Sequence, residues 1–136
     1  MTLQVYPPDR TEGLFLHYET FVRDLAEVAV DWPTLDREER SDHQVVLMEV
    51  WGKRRTLGQL YQTHQLTRAQ EARLAQLDYL LLEQAALMER CFGFGLDRLL
   101  TIFRWGSPLA QSTQTVRIET AMTSLNQIAQ ALAPAN

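Results

Sequence analysis

The chain is short of the residues on which small, turn-rich folds depend. A single cysteine, Cys91, excludes an internal disulfide framework and a multi-cysteine zinc site. Six glycines and five prolines in 136 residues are too few for a sandwich or barrel of many tight turns, and far too few for collagen. No apolar run approaches the eighteen or so residues that a membrane-crossing helix needs. Met1 to Arg10 has no basic stretch followed by an apolar one, so no secretory signal is expected and the expected address is the cytoplasm. Lysine is almost missing: twelve of the thirteen basic residues are arginine. No strong positive charge is present either, since the net charge is −4 and the pI is near 5.3. That balance argues against a global grip on nucleic acid, which requires a positive surface to release counterions.

What is abundant points to helix. Leucine (21), alanine (13) and glutamine (12) dominate, and unbranched side chains lose little rotamer freedom in a helix. No period-two strand and no internal repeat is present. The length suits one domain. Charge is uneven along it: residues 1–50 hold eleven acids against four arginines, residues 51–100 hold seven bases against five acids, and residues 101–136 carry a net +1.

Periodicity predicts an all-α bundle of up-down type, with four long helices and one short one. Residues 1–9 read as an extended arm, and residues 10–136 as a single helical-bundle domain. The first helix is expected from Arg10 to Val30, with Asp9 and Glu12 at the spacing of a capping box and a stop at Asp31-Trp32-Pro33. The second begins after Thr34 or Asp36 and shows Leu47, Val50, Trp51 and Leu57 on one face. Thr67-Arg68-Ala69-Gln70 is a capping box that opens a third helix, whose apolar stripe runs from Leu74 to Phe92. Gly93 supplies a left-handed cap, and a short helix follows from Leu96 toward Gly106. Ser107-Pro108 reads as cap and first residue of the last helix, which carries Ile118, Met122, Leu125 and Leu132.

The candidate chemistry is thin. Phe92-Gly93-Phe94-Gly95 lacks the preceding strand and third glycine of a nucleotide fingerprint, so it reads as helix punctuation. His17, His43 and His64 form no Glu-x-x-His pair. Glu39 and His43 could share a face, but together they make half a metal site at best. Tyr18, Tyr61 and Tyr79 read as residues at the core edge. Cys91 adjoins the third helix's stripe and reads as an inert thiol. No catalytic residue, metal site or cofactor is assigned.

Two features resist so plain an account. Arg54 falls on the apolar face of the second helix, and Asp78 lies among Leu74, Leu77, Leu81 and Leu82 on the third. If the two helices turn back on each other near Gln65, the pair stands at nearly the same height, and a buried arginine needs a carboxylate. The other feature is the C-terminus, where residues 120–136 carry no charge. Thr120, Thr123, Asn126, Gln127 and Gln130 form a polar face without ions, a candidate for contact with a second copy.

The expected role is therefore non-enzymatic: a homodimeric adapter or scaffold that works through protein–protein contacts. Two alternatives stand beside it. One is a helix-turn-helix-like regulator that reads DNA through Lys53-Arg54-Arg55, with Arg68 and Arg73 completing an exposed patch. The other is a small-ligand-binding bundle with Trp51, Tyr61 and Phe92 on the wall of its pocket.

Overall fold

Helix accounts for nearly all of residues 8–111, the part of the chain that the computed structural model describes. The fold is all-α. Its order is α1 (Pro8–Asp31), a 3-10 turn (Trp32–Thr34), α2 (Arg37–Gln62), α3 (Arg68–Glu83), α4 (Ala85–Phe92), α5 (Leu96–Gly106) and a second 3-10 turn (Pro108–Gln111). No helix among the described residues is long and apolar enough to cross a membrane. The expected last helix past Gln111, and residues 1–7 of the expected N-terminal arm, lie outside the described residues; the expected opening of that helix at Ser107-Pro108 is the second 3-10 turn.

The helix starts follow local chemistry. Asp36 caps α2, accepting from Glu39 N at 2.8 Å while Glu39 reaches back, and Thr67 and Gln70 do the same for α3. α1 opens at Pro8, where a missing N–H costs nothing, so Asp9 stands inside the first turn and not at a cap. Gly93 closes α4 at φ +64°, and Phe94 N donates back to Met88 O. At the end of α2 the same left-handed role falls to His64 at φ +57°, with Gln65 N donating to Leu60 O at 2.8 Å.

One expected helix is two. α3 ends at Glu83 and α4 begins at Ala85, although the apolar stripe continues across the joint without a glycine or proline. At the joint Gln84 turns its side-chain amide to Val22 O of α1 and to Leu80 O. A tertiary hydrogen bond of that kind leaves no mark on hydrophobic period.

α1 is central, packing closely against α2, α3 and α4, while α2 is held on another side by α5. α2 and α3, expected to turn back on each other near Gln65, are not among the closely packed pairs and meet instead through Arg54 and Asp78. The core is built from Phe15, Tyr18, Val22 and Leu25 of α1, Leu47, Val50 and Leu57 of α2, and Leu74, Leu77 and Leu81 of α3. A smaller cluster of Ala29, Trp32 and Cys91 closes the α1–α2 corner. There Arg40 donates twice to Trp32 O, at 3.2 and 2.9 Å, and lies over the indole.

Candidate functional site

Three polar side chains occupy slots that their helices otherwise fill with apolar ones. Tyr18 stands between Phe15 and Val22, Arg54 between Val50 and Leu57, and Asp78 between Leu74 and Leu81. All three are buried, with exposures of 0%, 2% and 0%. They meet in one cluster. Arg54 Nε donates to Asp78 Oδ1 at 2.8 Å and Arg54 Nη2 to Oδ2 at 2.6 Å, the two-pronged geometry that suits guanidinium and carboxylate. Tyr18 OH donates to Oδ1 at 2.6 Å, and Ser107 Oγ donates to Oδ2 at 2.6 Å. Asp78 thus accepts four hydrogen bonds, two on each oxygen. Arg54 Nη2 has a further acceptor in Gly106 O at 2.8 Å, and the guanidinium faces the rings of Tyr18 and Phe103.

The protonation states follow. Burial is the largest single influence on Arg54 and works against its charged form, but Asp78 and Tyr18 together outweigh it and hold the guanidinium above its ordinary pKa. Burial, and next the Asp78 charge, push the Tyr18 hydroxyl well above its usual range. Both carboxylate oxygens are thus doubly engaged, by the Arg54 cation and by two hydroxyls. This cluster is a clasp joining α1, α2, α3 and the end of α5. Cys91 is similarly quiet, since burial raises its thiol pKa despite nearby Arg90 and Arg40.

The basic residues do not gather into the patch that DNA reading would need. Arg54 is inside the clasp. Arg73 is engaged by Glu12 Oε1 at 2.5 Å and Glu19 Oε2 at 2.7 Å, strapping α3 to α1 above Phe15. Lys53 Nζ lies 2.6 Å from His17 Nδ1. Arg55 and Arg68 remain exposed. The reason is amphipathicity: three consecutive residues of a helix point about 100° apart, so a basic triplet cannot share one face.

Trp51, Tyr61 and Phe92 do not form one wall. Trp51 meets Phe94 edge-on at 5.0 Å and lines a recess of about 310 Å³ toward α5, with Gly58 and Ile102. Phe92 meets Trp32 edge-on at 5.3 Å and lines a different hollow. Tyr61 is half-buried, its hydroxyl pKa raised by burial and by Glu71. Ten residues separate Trp51 from Tyr61, which puts them on different faces of α2.

The hollow that holds Phe92 is the candidate site. It is a half-open groove of about 470 Å³ between α1 and α2. Phe21, Leu25 and Val28 of α1, Val50 of α2 and Phe92 of α4 give it an apolar floor. Leu16 and Val46 stand on its rim, 57% and 47% exposed. Asp24 of α1 and Glu49 of α2 also line it, as do His17 and His43. Neither carboxylate has an ion-pair partner among the described residues. Glu39, whose spacing from His43 suggested half a metal site, is used in the α2 capping box, and His43 rests against Trp32 at 6.1 Å. Among the described residues no group of three or more histidine, cysteine, aspartate or glutamate side chains could hold a metal ion.

Tyr18 and Ser107 were not foreseen as partners of the ion pair. A signal existed for Tyr18, because a hydroxyl at the centre of an apolar stripe must find an acceptor. For Ser107 there was none: it also accepts from Leu109 N at 3.2 Å as a cap, and capping alone accounts for its place in the sequence. The groove had no sequence signal, since its walls belong to three helices. No family model, curated protein or solved structure matches this chain.

Proposed function

We propose that this protein is a non-enzymatic docking module, an adapter whose α1–α2 groove receives an amphipathic helix from a protein partner. The observation that carries this reading is the groove itself, an apolar floor with large apolar side chains left in water at its rim. Leu16 and Val46 could each have been polar without loss to the core, and contiguous apolar surface of this kind marks contact sites. Its trough between two helices suits helix-in-groove recognition, in which anchors at i, i+3 or i+4, and i+7 enter an apolar channel. The clasp, whose carboxylate is taken up in joining helices, supports the non-enzymatic side of the reading. Homodimer contact through Thr120, Thr123, Asn126, Gln127 and Gln130 is a separate proposal.

Selection from a displayed peptide library tests the docking reading. The expected winners carry apolar residues at helical spacing and lose binding when Val46→Asp places a charge on the rim, while circular dichroism shows that variant folded. Failure to enrich any peptide on the native protein over Val46→Asp would overturn it.

A further inference from the structure

We infer that the helix received by the α1–α2 groove is a basic one, belonging to a different protein and carrying lysine or arginine beside its apolar anchors. This rests on the docking reading and adds the partner's chemistry. The groove presents a carboxylate from each long wall, Asp24 on α1 and Glu49 on α2. Both are exposed, and both lack an ion-pair partner among the described residues. A helix laid on the apolar floor removes water from these two charges. Without opposing charge that loss goes uncompensated; with it, complementary potentials speed encounter and fix register. The surrounding chain has the same sign, eleven acids against four arginines in residues 1–50.

Charge also decides against the two occupants nearest at hand. A second copy joined across a two-fold axis at this groove would set Asp24 and Glu49 against their own images, and like charges repel. The chain's own C-terminal segment, residues 112–136, holds apolar residues at helical spacing but no net charge, since its one base, Arg117, stands two residues from Glu119, so it would cover both carboxylates without answering them.

Three labelled model peptides of equal length and identical leucine faces make the test, with lysine and arginine, glutamine, or glutamate at the flanking positions. Fluorescence anisotropy is read at low and high salt against the native protein, Val46→Asp, and the double variant Asp24→Asn/Glu49→Gln. The cationic peptide is expected to bind about tenfold more tightly than the glutamine peptide at low salt. That preference should shrink with salt and vanish in the double variant, whose binding of the glutamine peptide persists. Equal binding of all three peptides, with sensitivity to Val46→Asp, would overturn the basic partner and leave the docking reading standing. A preference for the glutamine peptide would overturn it in the same way, and would favour an uncharged occupant. Binding of none of them would remove both readings. A dimer in light scattering that Val46→Asp dissociates would also overturn the inference, by making a second copy the occupant.

Discussion

Gly58 of α2 and Gly106 at the end of α5 touch backbone to backbone. A Cβ placed on Gly58 would stand 3.0 Å from Gly106 O and 3.3 Å from Gly106 Cα, while one on Gly106 would stand 2.9 Å from Gly58 Cα. This approach brings Gly106 O to Arg54 and carries Ser107 to Asp78, so the clasp depends on the absence of two side chains. Neither glycine has the positive φ that would demand it for conformational reasons. Space is the reason here.

Gly58→Ala and Gly106→Ala should therefore each destabilise the fold by about 1–3 kcal/mol, the usual cost of overpacking against atoms that cannot move aside. Urea unfolding measures it. Because both substitutions widen one contact, the double variant should cost less than the two added together. Stability within about 0.5 kcal/mol of native for both singles would mean that α2 and α5 do not meet this closely.

The ion pair makes a second prediction. Removing either partner strands the other charge in the interior, so Arg54→Ala and Asp78→Ala should each cost about 3–5 kcal/mol. The double substitution should fall well short of the sum, because it leaves no orphaned charge. Additive, small losses in denaturant unfolding would place both side chains in solvent.

Tyr18 gives the fold an alkaline weakness. Its folded-state pKa is raised above the value of about 10 that the hydroxyl has in the unfolded chain. Its contribution is fully present below that pH and is lost as pH climbs through the folded-state value, since the unfolded chain releases the proton more readily. Native stability should consequently fall faster above pH ~10 than that of Tyr18→Phe. Of the four tyrosines, this one should show no tyrosinate absorbance until the protein unfolds. Ionisation together with exposed tyrosines in the folded protein would contradict the buried geometry.

For the C-terminal region, outside the described residues, the expectation rests on sequence. Residues 120–136 lack charge, so Thr123→Glu with Gln127→Glu should place like charges across a dimer axis and weaken association. Light scattering decides: a native monomer, or a dimer indifferent to both glutamates, removes that contact.

The sequence by itself determined the all-α class and most helix starts. These are local matters: the side-chain period, and caps made by Asp36 with Glu39 and Thr67 with Gln70, need only neighbours within a turn or two. It also placed Arg54 and Asp78 on apolar stripes, where each requires an opposite charge. Only the tertiary structure decided the rest. The break at Gln84 depends on a carbonyl of α1 that lies 62 positions away in the chain. The burial of Tyr18 and the second duty of Ser107 arise because four segments converge on one carboxylate, and no period in any one of them encodes the meeting. The groove is decided in the same way. Its walls are ordinary amphipathic helices, and the pattern that marks a residue as apolar does not say whether a neighbouring helix covers it.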